Sequence, residues 1–507
     1  MFPLILPFWL LSHNPAGLDM MPDARTSQAE VWVSAANGEW VNYYQGDRTM
    51  EWGAHTQSVY RINDRYVLQG NVDYRNRTCQ NVTGSVWIDP TDTPFDLLEY
   101  NAGREGETQS EHYDLSGALS YRVNGRWSLG ARVRLEAENL AKRRDLRHQN
   151  SLMRLQVNPG VMWRAAQRPL QLGLSYRYDR RVEGLSFNIS GTADIDYYTL
   201  ISYGSAYGIK QIATSYDGYA STSSGMIPLV DERHGVSLQL GADTDGRVHW
   251  YNELTCVLRN GYYGRESLYS EVYTDHQGQE FDWQSDVSLR ASAQRLHQWQ
   301  CRVAWHALTN SENLFNEVQE GGGLTRIVYY NKMQRHKRHT LCASLTYTLQ
   351  CGGTDAAPLW MWSTEARFSR QDRETTFFPM QRNQVIDQYA VQMHGERRWQ
   401  RAHDAWICTL SSGLQWGGGT RLEDQSLATG KASTYATSVD RYLDHEYDYL
   451  TSTQWNVGAQ VRYERPLPQY RVAPYAALRA QRLQSTSIGH LSGRYHQQCS
   501  VSIGITF

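Results

Sequence analysis

No stretch of this chain approaches the ~18 consecutive apolar residues that a membrane-spanning helix needs. Hydrophobic residues make up 40% of it and the mean hydropathy is −0.61, which excludes a helical membrane protein. A chain that crosses a membrane with strands escapes this limit, because only alternate residues then touch lipid. Lysine is nearly missing. The five are Lys142, Lys210, Lys332, Lys337 and Lys431, so arginine supplies almost all the positive charge. Arginine forms planar, multidentate contacts that lysine does not. Phenylalanine is scarce, at 10 residues, against 33 Tyr and 17 Trp. Those amphipathic rings are the ones that settle at membrane–water interfaces. No linker divides the 507 residues, although a soluble chain of this length normally splits into domains. The formal net charge is −2, and nothing points to a nucleic-acid partner.

Cysteine pairing is also missing. The seven cysteines stand at 79, 256, 301, 342, 351, 408 and 499, with no CxxC, and Cys342 and Cys351 are the nearest pair. Neither a disulfide framework nor a metal site is indicated. Cys256, Cys301, Cys408 and Cys499 fall in register with apolar positions and read as small lipid-facing hydrophobes.

What the chain has in quantity is alternation of period two. Tyr113, Leu115, Gly117, Leu119, Tyr121 and Val123 alternate with Asp114, Ser116, Ala118, Ser120 and Arg122. Asn124-Gly125 follows, the dipeptide of a tight type I′ hairpin. Trp127, Leu129, Ala131, Val133, Leu135 and Ala137 then alternate with Ser128, Gly130, Arg132, Arg134, Glu136 and Glu138. Each arm reaches the ~9–11 residues that a tilted strand needs to cross a bilayer. The same pattern recurs at Met153–Arg164, Gln171–Asp179, Val236–Leu240, Val248–Leu258, Trp299–His306 and Trp455–Tyr463. It closes the chain, where Val501, Ile503, Ile505 and Phe507 oppose Ser500, Ser502, Gly504 and Thr506. An aromatic last residue on such a strand suits the closing strand of an outer-membrane barrel.

Short turns near 63–65, 124–126, 166–169, 244–247 (with Asp245-Gly246), 293–296, 351–358, 395–402 and 465–469 alternate with longer connections. The latter lie near 78–110, 186–231, 268–280, 312–336, 374–384, 419–448 and 485–494. Short periplasmic turns and long outer loops are the asymmetry of transmembrane barrels. With a first strand within Glu30–Gln45, the count is fourteen to eighteen strands, best eighteen. The expected fold is all-β: a transmembrane antiparallel up-and-down barrel over residues 30–507 with long extracellular loops. Residues 1–29 are expected to be a signal remnant or N-terminal plug. The run Phe2–Leu11 has no Lys or Arg before it, so it lacks the basic start of a secretory signal. It reads as a degraded signal core or as the mark of a misplaced start, the second being favoured because a barrel must be exported.

Ser12-His13-Asn14-Pro15-Ala16-Gly17-Leu18 resembles the Asn-Pro-Ala start of long-chain fatty-acid channels, which implies a segment tucked into the lumen. Gly38–Asp47, Ile88-Asp89-Pro90 with Thr93-Pro94-Phe95-Asp96-Leu97, and Ala141–His148 resemble an uncharacterised family of outer-membrane barrels from Bacteroidota. That resemblance covers most of the chain. It implies a single barrel in the bacterial outer membrane and no established substrate.

The inward face carries both signs of charge. Arg132, Arg134, Glu136, Glu138, Arg154, Arg177, Asp179 and Arg302 are the candidate lumen lining, either as an ion-paired, hydrated wall or as a selectivity filter. Mixed signs argue against strong anion or cation selectivity. Asn14, Pro15, Ala16 and Gly17 are turn-forming, and Leu18, Met20 and Met21 need cover, so the stretch to Asp23 is the candidate plug. Ile503, Ile505 and Phe507 are the candidate signal for the barrel-assembly machinery. The basic run Asn331–His339, expected at a loop end, suits lipopolysaccharide phosphates or plain solvation. His336 and His339 have no carboxylate close in sequence, so no metal is assigned. His55, His112, His249, His306 and His394 are scattered, and no Gly-x-Ser-x-Gly elbow occurs. No catalytic residue or cofactor is assigned, and no enzymatic role. Two roles remain. One is a channel or transporter for a solute. The other is a non-conducting accessory barrel whose loops bind a surface lipoprotein or a neighbouring transporter. The Tyr-, Ser- and Gly-rich stretch Asp196–Tyr207 suits either a contact surface or a loop folded inward.

Overall fold

The computed structural model describes residues 9, 12–21, 26–166, 169–189, 195–213, 225–244, 246–354, 357–401, 403–428 and 436–507. Most of Phe2–Leu11, the last residues of the stretch to Asp23, Asp245, and the tips of the turns at 166–169 and 351–358 lie outside the described residues.

The chain runs β1 (Thr26–Asn37), β2 (Arg48–Arg61), β3 (Tyr66–Val82), β4 (Asp96–Glu99), β5 (Gly106–Arg122), β6 (Trp127–Lys142), β7 (Arg147–Arg164) and β8 (Leu170–Asn188). Then come β9 (Tyr198–Ser202), β10 (Tyr207–Ile212), β11 (Ile227–Thr244), β12 (Val248–Ser267), β13 (Ser270–Ser292), β14 (Arg295–Glu320), β15 (Leu324–Thr354), β16 (Ala357–Phe377), β17 (Met380–Gln400) and β18 (Ala405–Ser426). β19 (Thr437–Ser438), helix α1 (Asp440–Thr451), β20 (Gln454–Glu464), β21 (Ala473–Ser485) and β22 (Tyr495–Thr506) finish it.

Eighteen of these strands form one closed antiparallel barrel, with β4, β9, β10 and β19 outside it. Closure joins the last strand to the first, Ile503 opposite Val31 and Thr506 opposite Gln28. The alternation sorts side chains as lipid demands. Val31, Leu119, Leu129, Val133, Leu238, Leu254, Val501 and Ile503 are exposed on the outer face, while Ser120, Ser128, Ser175, Ser237 and Asp286 are buried inside. An exposed apolar belt of this extent is stable only against hydrocarbon. Rings flank it. Trp399 and Trp406 pair across the turn 401–404, and Tyr74 and Tyr113 meet with ring centroids 4.9 Å apart nearer the other rim. This is a transmembrane barrel of the outer-membrane type. Thr26, Phe507 and the short turns share one rim, the periplasmic one by that asymmetry.

Three expected outer loops are strand instead. Residues 268–280, 312–336 and 374–384 lie within hairpins β12–β13, β14–β15 and β16–β17, which turn only at 268–269, 321–323 and 378–379. β15 is 31 residues long, about three times what a bilayer requires. Beyond the hydrocarbon no lipid enforces alternation, so these overhangs carry polar residues on both faces and read as loops in the sequence. The basic run Asn331–His339 is corrected likewise. It lies inside β15, with Lys332, Lys337 and His339 exposed and Arg335 and His336 buried. The first strand also starts earlier than expected, at Thr26. All seven cysteines are free; Cys256 and Cys499 are exposed.

The outer mouth is capped. β19, β10, β9 and β4 form a four-stranded sheet in that order, so the Tyr-rich stretch folds inward rather than out. Trp87, Phe95, Leu97, Phe187, Ile201, Tyr203, Tyr263 and Phe377 pack beneath it as one buried core. Each such ring or chain contributes about 1.5–3 kcal/mol by leaving water.

Candidate functional site

The lumen is entered from both rims by the chain itself. At the periplasmic end, Asn14 caps a short 3-10 helix, Pro15–Met20, its Oδ1 accepting from the Ala16 N–H at 3.0 Å. Asn before Pro is a natural helix start, since the cap fills an orphan donor and proline has none to lose. The segment lies on the inner wall. Ser120 Oγ donates to Ala16 O at 3.1 Å, and Asn14 Nδ2 donates to Val161 O at 2.9 Å and to Gln239 Oε1 at 3.1 Å. A Cβ at Gly130 would collide with the Ala16 backbone, and one at Gly160 with the Asn14 amide. Asp19 is the charged anchor. Arg122 holds it at 2.8 Å and Arg61 at 3.7 Å. Arg164 also pairs with it, and Ser128 Oγ donates to it at 2.6 Å.

At the outer end the connection between β3 and β5 dips into the lumen. Its tip runs Asp89-Pro90-Thr91-Asp92-Thr93-Pro94 between Trp87 and Phe95, both buried in the cap core. Asp92 meets Arg233 at 2.6 Å, Arg259 at 3.2 Å and Arg181 at 3.5 Å. Burial opposes its charge, but the three guanidiniums win and hold its carboxyl well below the usual range. Arg259 Nη2 also donates to Asp92 O at 2.6 Å, and Arg338 Nη1 to Thr93 O at 3.2 Å. Elsewhere in the cap, Glu99 pairs with the buried Lys142, Arg373 with Glu446 at 2.6 Å and Arg382 with Asp440 at 2.8 Å. Asp96 is raised to about 6 by burial, although Ser85 Oγ and Tyr43 OH donate to it.

Cavities surround this tip. One of about 250 Å³ lies between the tip, Tyr43, Tyr442, Arg338 and Arg373. A second of about 280 Å³ joins Asp92 to Arg259, Glu280, His306, Arg338 and Cys342. A third of about 350 Å³ is lined by Arg75, Arg77, His112, Glu136, Glu138 and Arg154.

The lining candidates divide accordingly. Arg154 binds Asp179 at 2.6 Å and approaches Glu136 at 3.9 Å. Arg134 binds Asp114 at 2.6 Å, Glu138 meets His112 at 3.0 Å, and Arg177 lies 3.9 Å from Glu280. Arg132 is half-buried, and Arg302 is exposed on the far inner wall. Glu280, Asp282 and His306 also converge closely enough to share a metal ion. Sequence reasoning missed Arg181, Arg233, Arg259 and Asp92 as site residues, and had Asp19 only within the plug stretch and Arg338 only within the basic run. A signal existed: Arg181 continues the inward parity of Arg177 and Asp179, and Asp92 stands between two prolines.

A family model, described as a family of unknown function (DUF6850), matches residues 15–507. The chain belongs to this family. DUF6850 thus covers the barrel together with the inserted helix that begins at Pro15. No curated protein matches the sequence. Among solved structures, BauA, the ferric preacinetobactin receptor from Acinetobacter baumannii, is similar at 8% identity and TM-score 0.41, over 95% of this chain and 80% of that one. The outer membrane transporter YddB from Escherichia coli is similar at 7% identity and TM-score 0.42, over 95% and 81%. A Pseudomonas aeruginosa FadL homologue is similar at 11% identity and TM-score 0.31, over 97% and 92%. None of these likenesses bears on the role of this DUF6850 member.

Proposed function

We propose that this protein is an outer-membrane channel or transporter that passes a small polar solute through its lumen. The observation behind it is the free inner wall. By strand register Arg302, Arg367, Gln392 and Arg479 point inward, and all four are exposed to lumen water. Side chains left in lumen water, rather than packed against the inserted segments, are positioned to meet a passing solute. The candidates Arg132, Arg134, Glu136, Glu138, Arg154, Arg177, Asp179 and Arg302 then line the path. The segment around Asn14, Pro15, Ala16 and Gly17 acts as the inner plug. No enzymatic step is assigned, and the Bacteroidota origin implied by the sequence resemblance is part of the same proposal. Outward Lys332 and Lys337 are the groups that would meet lipopolysaccharide phosphates.

Planar-bilayer recording tests this. Deleting residues 1–25 behind an intact export signal should raise conductance over the full chain. The deletion stops there because β1 begins at Thr26. If both proteins stay closed, the accessory-barrel role replaces transport. One observation favours that second role. The β14–β15 overhang exposes Val318, Leu324, Val328, Tyr329 and Tyr330, an apolar surface suited to a surface lipoprotein or neighbouring transporter.

Assembly is proposed to depend on Ile503, Ile505 and Phe507. Ile503 and Phe507 are exposed on the outer face, and the Phe507 amide donates to Ser27 O at 2.9 Å at the barrel seam. Deleting Phe507 should lower the yield of heat-modifiable barrel. An undiminished yield would reject that role.

A further inference from the structure

We propose that Arg181, Arg233, Arg259 and Arg338 form an anion-binding station on the solute path, and that Asp92 occupies it as a built-in competitor. The solute class is then a small anion with a carboxylate or phosphate group. This rests on the transport role proposed above.

The wall is built with an excess of positive charge at this height. Arg233 and Arg259 are direct cross-strand partners, and like charges so placed repel unless an anion lies between them. Arg181 stands opposite Asp231 on the neighbouring strand. Arg338 reaches the same space from β15. The wall carboxylates at hand are Glu183, 2.8 Å from Arg181, Asp231, 2.8 Å from Arg259 and 3.0 Å from Arg233, and Glu280, 3.8 Å from Arg233. Glu280 is shared with Arg177, and Asp231 with His276 at 3.1 Å. Four guanidiniums thus meet three wall carboxylates. The fourth carboxylate is Asp92, and it comes from the inserted tip, not the wall.

Arg338 is the open position. Among the described residues it has no carboxylate within ion-pair distance, and its polar contact is the carbonyl of Thr93. It borders both the cavity under the cap and the cavity beside His306. A guanidinium in that position lacks the charged partner that would offset its desolvation.

The tip can be exchanged for a ligand. Its two flanks are anchored by Trp87 and Phe95, but Asp92 itself keeps 32% side-chain exposure. The carboxylate is the tip's ionic link to the wall; Asp89 turns back on Thr91. An incoming carboxylate or phosphate offers guanidiniums the same charge-assisted contacts as Asp92. It can replace Asp92 without leaving buried arginines unpaired, and it adds a partner for Arg338. Exchange would lift the tip from the lumen and let the solute pass the place it occupies.

The test uses the detergent-solubilised full chain and two probes, inorganic phosphate and acetate, with binding read by calorimetry apart from any conductance. Asp92→Asn keeps the tip's shape and removes the competing charge. It should bind at least one probe more tightly than the wild type, on the order of tenfold, the effect of one charged hydrogen-bond partner. Tighter phosphate alone identifies a phosphate station, tighter acetate a carboxylate station, and both the shared chemistry. Adding Arg338→Gln to Asp92→Asn should reverse most of the gain, with heat-modifiable mobility confirming a folded barrel. Unchanged affinity for both probes in Asp92→Asn, or a gain that survives Arg338→Gln, overturns the station. A gain in binding without conductance in any variant sinks the transport role instead and leaves the station standing.

Discussion

Two segments enter this barrel from opposite rims, and each places one carboxylate among three wall arginines. Asp19 lies among Arg61, Arg122 and Arg164. Asp92 lies among Arg181, Arg233 and Arg259. The chemistry matches, but the surroundings do not. The Asp19 side chain is 1% exposed and that of Asp92 is 32% exposed. The inner segment is also seated by shape, with glycines cut into the wall beneath Ala16 and Asn14. The outer tip borders three cavities and is held there by charge and two backbone carbonyls. A charge clamp inside a tight fit makes a fixture, whereas the same clamp beside open water makes a contact that a competing anion can take.

The largest effect should come from Asp19→Ala. It strands three partly buried guanidiniums, and breaking a buried pair this way costs about 3–5 kcal/mol. The temperature at which the folded barrel loses its fast gel mobility should drop clearly. An unchanged temperature would show that shape alone seats the segment. Gly130→Val breaks the other half of the comparison. The charges stay, but the added side chain occupies the place of the Ala16 backbone. Residues 12–21 should become open to protease while the barrel stays folded, with a smaller loss of stability than for Asp19→Ala. Continued protection would mean that the arginines can hold the segment against a steric clash.

The smallest effect sharpens the picture at the outer end. Asp96, in β4 of the cap, has its carboxyl raised to about 6 by burial. The groups facing it are Tyr43, Glu446 and Arg373. A raised carboxyl favours the folded cap below its ordinary value, and that contribution is lost as pH rises through about 6. The cap should therefore loosen between pH 5 and pH 7.5 by about 1.4 kcal/mol, the worth of the one pH unit between 5 and a carboxyl near 6. Hydrogen exchange in residues 83–105, corrected for intrinsic rate, should show it, and Asp96→Asn should shrink the dependence, leaving the part that belongs to Glu99, which burial raises to about 7 in the same strand. A pH dependence undiminished in Asp96→Asn would assign all of it to Glu99.

Where lipid acts on the chain, the sequence was legible. The barrel strands, the short-turn rim and the outward faces of Leu119, Leu129, Val133 and Ile503 follow from alternation of period two, because hydrocarbon admits apolar side chains on one face only. The lining candidates Arg154 and Asp179 share the inward parity and meet at 2.6 Å. Above the bilayer the constraint ends, so Asn331–His339 looked like a loop although it continues β15. The inward fold of Asp196–Tyr207 was undecided in the sequence, since a Tyr-, Ser- and Gly-rich stretch suits a surface or a packed sheet equally.

The sequence by itself determined the barrel and its sidedness and bounded its strands at fourteen to eighteen, because those depend on local periodicity and on the length of chain between turns. It also marked Asn14-Pro15-Ala16-Gly17 as turn-forming, and the short helix that starts there is a local matter of caps and donors. Only the tertiary structure decided what fills the lumen. Asp92 meets arginines 141 and 167 positions away in the chain, and Asp19 meets Arg122 and Arg164 from 103 and 145 positions away. Closing the ring brings those strands to one height, and no local pattern records which charges then face one another across it.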